Sequence, residues 1–171
     1  TGPARLDWSI GPDADAVIVE LGANDALRGV APAITRKALD DIMTRLDERG
    51  LPALLAGMRA PPNLGRDYAE AFEPIYPELA ASHSALLYPF FLDGVAADPG
   101  LNQPDGIHPT AAGVDIIVER MLPSVEALIG RASIERPGEE TKSGALQGGG
   151  QRPMLPVIRD GGASCRGCSP A

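Results

Sequence analysis

The chain has 171 residues, enough for one domain with a substantial core, and its 44% hydrophobic and 22% charged residues are ordinary for a globular protein. A net charge of −8 argues against nucleic acid or an anionic membrane surface as the main partner, because phosphate binding needs clustered Lys and Arg. No apolar stretch reaches the roughly 18 residues that span a bilayer, and no signal peptide is visible, so stable membrane insertion is not expected.

In chain order, Thr1 to Ile10 reads as the last turns of a helix that stops at Gly11-Pro12. Asp13-Ala14-Asp15 turns into a buried strand over Ala16–Leu21, entered so early that a strand and helix are expected to precede it. Asn24 to Pro32 reads as loop. Ala33 to Arg49 is an amphipathic helix with Ile34, Leu39, Ile42, Met43 and Leu46 inward, and Gly50 suits its C-terminus. Leu51 to Ala56 is the next strand, and Ala60 to Gly65 a rigid surface loop. Arg66 to Ser82 reads as a helix, kinked or broken by Pro74 and Pro77, with Tyr68, Ala71, Phe72, Ile75, Tyr76 and Leu79 inward. Ala85 to Tyr88 is a short strand, and Leu92 to Gln103 a short helix and loop. Thr110 caps a last helix to Ile129, with Val114, Ile117, Val118, Met121, Leu122, Val125 and Leu128 inward and Pro123 able to kink it. This β-α alternation with short connections predicts an α/β domain over residues 1–131 with a parallel sheet and right-handed crossovers.

From residue 132 on, Gly, Pro, Ser and charge dominate, and the segment is too poor in apolar residues to offset its ordering entropy. A disordered tail over 132–171 is expected, in which only Met154 to Ile158 suits a strand. The spacing of Cys165 and Cys168 fits a redox pair or half a zinc site. A redox pair needs a strand–helix context and a zinc site a second ligand pair, and without either the cysteines read as incidental.

Two stretches carry chemistry. The run Val17-Ile18-Val19-Glu20-Leu21 drives into Gly22-Ala23-Asn24-Asp25 at a strand's carboxyl end, where ligands bind in open α/β sheets. Pro104-Asp105-Gly106-Ile107-His108-Pro109 places an Asp three residues ahead of a His in a Gly/Pro-shaped turn. There the carboxylate can fix the imidazole tautomer and leave the other ring nitrogen as base. The plain alternatives are a helix-capping loop with a chance His and a turn-forming Asn24.

Together, Gly-x-Asn-Asp and Asp-x-x-His-Pro in this order resemble the third and fifth blocks of the SGNH (GDSL) hydrolase superfamily. Val19 to Gly29, Met58 to Gly65 and Ala71 to Pro77 look like its bacterial thioesterase I, lysophospholipase L1 and arylesterase branch. The resemblance implies a three-layer α/β/α, flavodoxin-like fold and a carboxylic ester or thioester hydrolase that needs no cofactor or metal. It also implies a small-molecule acyl ester or thioester as substrate and a periplasmic or secreted setting. His108 would be the general base, Asp105 its orienting acid and Asn24 an oxyanion donor, with Gly22 presenting Asn24. Asp25 would stabilise the loop. Tyr88, Phe90, Phe91, Met58 and Leu64, near predicted strand ends, could line an acyl pocket or simply belong to the core, and Gly22, Asp25, Met58, Pro61 and Phe90 are the expected substrate-binding residues.

The family's Gly-Asp-Ser-Leu block with the nucleophile, and the block that adds a backbone N–H to the oxyanion hole, have no match in these residues. The sequence therefore reads as one that enters the family pattern about two blocks late. Ser9 completes half a nucleophile elbow but follows no strand. Ser82 and Ser84 flank His83 in what reads as a solvated turn, Ser124 is within a helix, and Ser133, Ser143, Ser164 and Ser169 lie in the tail. Two outcomes follow: an acyl-serine hydrolase whose serine is not in these residues, or a non-catalytic esterase-like module or fragment that needs an N-terminal partner. An exposed sheet edge is expected to favour self-association.

Overall fold

Consecutive β-branched residues favour extended backbone, and Val17–Glu20 forms the first strand, β1. The computed structural model describes Leu6 and residues 9–135. The tail strand, the cysteine pair and most of the N-terminal helical turns lie outside the described residues. A five-residue helix, α1 (Ala23–Leu27), follows β1 where loop was expected, and α2 (Pro32–Glu48) follows it. Strand β2 is Ala53–Ala56, followed by a single 3-10 turn at Pro62–Leu64. The next helix breaks as the prolines demand, into α3 (Arg66–Phe72) and α4 (Ile75–Ser82). Strand β3 is Leu86–Tyr88, and α5 runs over Ala111–Glu135. The residues between β3 and α5 form turns rather than the expected short helix. Helix α5 continues past Ile129, and the boundary expected at Arg131 falls inside it.

The strands pair in parallel in the order β1-β2-β3, with Ile18 opposite Leu54 and Leu54 opposite Leu86. Both crossovers step in the same direction, so right-handedness puts their helices on one face. Val19, Ala53 and Leu55 meet α2, α3 and α4 there, through Leu39, Met43, Leu46, Phe72, Tyr76 and Leu79. The other face carries Leu54, Ala56 and Tyr88 and packs on Met121 and Leu128 of α5. The result is the expected α/β domain, three layers about a parallel sheet. Central strand β2 is buried at every residue.

Three expected inward faces need correction. In α2, Ile34 is 61% exposed and Thr35 is buried in its place. Ala71 of α3 is exposed. In α5, Val114, Val118 and Leu122 are exposed, whereas Ile117, Met121 and Leu128 are buried, the last two against the sheet. No helix of the described residues is long and apolar enough to cross a membrane.

Candidate active site

The segment before α5 is closed on itself. Asn102 and Pro109 form an antiparallel bridge, the Gln103 N–H donates to the His108 carbonyl at 2.7 Å, and the Thr110 N–H to the Leu101 carbonyl at 2.8 Å. Asn102, only 6% exposed, braces the loop by donating its side-chain amide to the carbonyls of Val95 at 2.6 Å and Asp98 at 2.8 Å. The Thr110 hydroxyl accepts from the Gly113 N–H at 3.3 Å, an N-cap contact that starts α5.

Within this loop Asp105 Oδ1 accepts the backbone N–H groups of Ile107 (2.9 Å) and His108 (3.1 Å), and Oδ2 lies 2.8 Å from His108 Nδ1. Gly106 supplies the φ of +69° that lets the chain fold back over the carboxylate. The His108 hydrogen bond, then the two backbone donors, hold the Asp105 carboxyl down at about 2, so it stays ionised. A carboxylate fixed on Nδ1 selects the tautomer that leaves Nε2 as acceptor. The His108 side chain is 70% exposed, and its Nε2 has no partner among the described residues.

The second arm lies at the end of β1. Gly22 has φ +105°, and a Cβ there would sit 2.2 Å from the Tyr76 hydroxyl oxygen, so both backbone and space demand glycine. The Tyr76 hydroxyl donates to the Leu21 carbonyl at 3.0 Å, and burial, then the charges of Glu20 and Asp25, push its pKa up. Asn24 stands in the first turn of α1, exposed, and its side-chain amide makes no hydrogen bond among the described residues. Asp25 accepts from the Thr35 hydroxyl at 3.1 Å, tying α1 to α2.

Two clefts open at the carboxyl ends of the strands. One, of about 300 Å³, is lined by Gly22, Asn24 and Asp25. The other, of about 390 Å³, is walled by Met58, Pro61, Phe90, Leu27, Ile107 and Pro109. Glu20 and Ala23 line both, and desolvation raises the Glu20 carboxyl above its ordinary value. The structure thus brings His108 and Asp105 together and gathers Met58, Pro61 and Phe90 on one wall. It puts Gly22, Asn24 and Asp25 on the neighbouring cleft, and His108 itself lines neither.

No serine lines either cleft. Ser82 donates its hydroxyl to the Glu78 carbonyl at 2.9 Å, and Ser84 follows it just before β3. His83 between them is not solvated as expected: its side chain is 10% exposed, with Nδ1 2.5 Å from Asp47 and Nε2 2.9 Å from Asp40. Sequence reasoning missed Asn102 and Glu20. Both are polar residues whose neighbours come from distant or irregular segments, where periodicity carries no signal.

Comparison with known proteins places this geometry. The GDSL-like Lipase/Acylhydrolase family model matches residues 2–116. The chain is 40% identical over 129 residues to Esterase TesA of Pseudomonas aeruginosa, covering 75% of this chain and 64% of that protein. It is 39% identical over 117 residues to Thioesterase 1/protease 1/lysophospholipase L1 of Escherichia coli K12, covering 68% and 56%. The chain therefore spans about three-fifths of the length of these relatives. Among solved structures it superposes on TesA with a TM-score of 0.69 at 38% identity, covering 74% of this chain and 71% of that one. On AlinE4, an SGNH-hydrolase family esterase, the TM-score is 0.58 at 46% identity, covering 73% and 68%. Family match, relatives and shared fold agree, and the chain belongs to the GDSL-like lipase/acylhydrolase family.

Proposed function

We propose that this chain carries the base arm and one oxyanion donor of a carboxylic ester or thioester hydrolase that works through an acyl-serine intermediate. The carrying observation is His108 Nδ1 at 2.8 Å from an ionised Asp105, on a loop whose Ile107 and Pro109 wall a largely apolar cleft. In this reading Nε2 of His108 takes the proton of a serine hydroxyl as it attacks the acyl carbonyl, then returns it to the leaving alcohol or thiol. Asp105 stabilises the imidazolium formed in between. The Asn24 amide donates to the oxyanion, an interaction typically worth about 2.7–4 kcal/mol in the transition state. Met58, Pro61 and Phe90 hold the acyl chain.

The serine comes from a Gly-Asp-Ser block that these 171 residues do not contain. The test uses p-nitrophenyl butyrate. The chain alone is expected to release little p-nitrophenolate. Joined to a segment that bears the family's Gly-Asp-Ser block it should gain turnover, which His108→Ala then lowers by about 10³-fold or more. Failure to gain turnover in a folded fusion would refute the reading. Turnover by the chain alone that His108→Ala abolishes would instead place the nucleophile among its own serines. The absence of serine from the lining of either cleft favours one second reading, an esterase-like module that binds acyl groups without cleaving them.

A further inference from the structure

Arg59 follows Met58 just past the end of β2. Its guanidinium lies over the Phe90 ring, 4.7 Å from the centroid. Both residues line the 390 Å³ cleft, and Arg59 is the one basic residue on that lining. Arg36, Arg66 and Arg120 are each paired with a carboxylate, of Glu78, Glu70 and Asp93. Exposed Arg59 has no carboxylate partner among the described residues. A guanidinium whose face rests on a ring keeps its N–H donors, which lie in its plane, available to an anion. It is weakly hydrated and suited to bidentate pairing with phosphate. The chain's net charge of −8 repels anions at long range, so a local cation beside an apolar cleft is what would retain one there.

We infer that Arg59 is a specificity-determining residue that favours acyl substrates whose leaving group carries a phosphate over those with an uncharged leaving group. The inference rests on the reading of this cleft as the acyl site. The Phe90 ring does double duty, as cleft wall and as the platform that holds the cation at the wall's edge. Glu20 is the one acid on the same lining, and desolvation raises its carboxyl above the ordinary value.

The experiment measures binding, so it needs no nucleophile. Octyl phosphate and 1-octanol, both below their aggregation limits, are titrated calorimetrically into the chain and into Arg59→Gln and Arg59→Lys. Octyl phosphate should bind about three- to tenfold tighter than octanol at low salt, and the preference should shrink as salt is raised. Arg59→Gln should erase the preference, while Arg59→Lys keeps part of it. Equal binding of the two ligands, or a preference that survives Arg59→Gln, overturns the role of Arg59 and leaves the acyl cleft standing. Loss of octanol binding in Arg59→Gln overturns it too, by showing that Arg59 only shapes the wall. If neither ligand binds, the acyl-cleft reading falls and the inference with it.

Discussion

Gly22 shows how much one residue fixes. Family resemblance implies that it presents Asn24. Apart from that role, the structure shows two independent demands for glycine here, a left-handed φ and a tyrosine hydroxyl where a methyl group would go. Gly22→Ala is expected to lower unfolding free energy by roughly 2 kcal/mol or more, from about 1–2 kcal/mol of backbone strain plus the clash. Tyr76→Phe alone should cost about 1 kcal/mol through the lost bond to the Leu21 carbonyl. Because the clash is with that hydroxyl, the two changes should combine less than additively in urea unfolding. Simple additivity would show that the strain is all in the backbone. That Tyr76 faces inward is legible from helical spacing. That it meets Leu21 is not, since a stripe gives a face and not a partner. The Asp105–His108 pair was the most legible feature of the site, because its geometry is made within four consecutive residues.

Helix α2 shows what an element can conceal. Its limits are readable from the apolar stripe and from Gly50. Yet Asp40 and Asp47, two turns apart and so on one face, look like ordinary solvated acids until His83 arrives from the end of α4. Burial opposes protonation of His83, but its hydrogen bonds with Asp47 and Asp40 and their charges outweigh that, and its pKa is raised. His83, Asp47 and Arg131 of α5 line one cavity, and Arg131 donates to the Ser84 carbonyl, so a cation also faces this end of the sheet. With the folded pKa raised, the clamp stabilises fully below the unfolded value near 6.5 and loses its contribution as pH rises through the folded value. Wild type should exceed His83→Gln by about 0.5–1 kcal/mol at pH 6, a modest figure because both acids are half exposed. The gap should close toward pH 9 in urea midpoints. A gap independent of pH would mean that His83 acts by packing alone. Helix α1 was missed for a different reason: five residues are too few to show a period.

At the scale of the whole molecule, the sheet of the described residues offers α5 three strands. Helix α5 is apolar over more of its circumference than they cover, and Val114, Val118, Leu122 and Ile129 stay exposed. Ile18 of β1, on the same sheet face, is 46% exposed, and the outer edge of β1 pairs with no strand among the described residues. An open parallel edge beside an apolar helix flank is a surface for association. The chain is expected to sediment as dimers or larger species at tens of micromolar. Ile18→Lys with Leu122→Lys should shift it toward monomer at little cost in stability, since both sites are exposed. A monodisperse wild-type monomer with a cooperative melt would contradict this. The class of fold and the family were legible because strands, helices and two short motifs are local signals. The clefts were not, because their walls join residues brought together from the ends of all three strands.

The loop from Asn102 to Thr110 bears on how the site would fail and recover. Its bridge, its carboxylate–imidazole contact and its two carbonyl closures all join residues within ten positions of one another. The clefts instead draw their walls from segments up to about ninety residues apart along the chain. Under mild denaturant the Asp105–His108 loop should thus outlast the clefts, with the amides of Gln103 and Thr110 still exchanging slowly after the walls loosen. Such a unit closes with little entropy and owes its shape to few distant neighbours. It is a self-templated fitting, able to keep its shape while the scaffold around it is lost, regained or replaced.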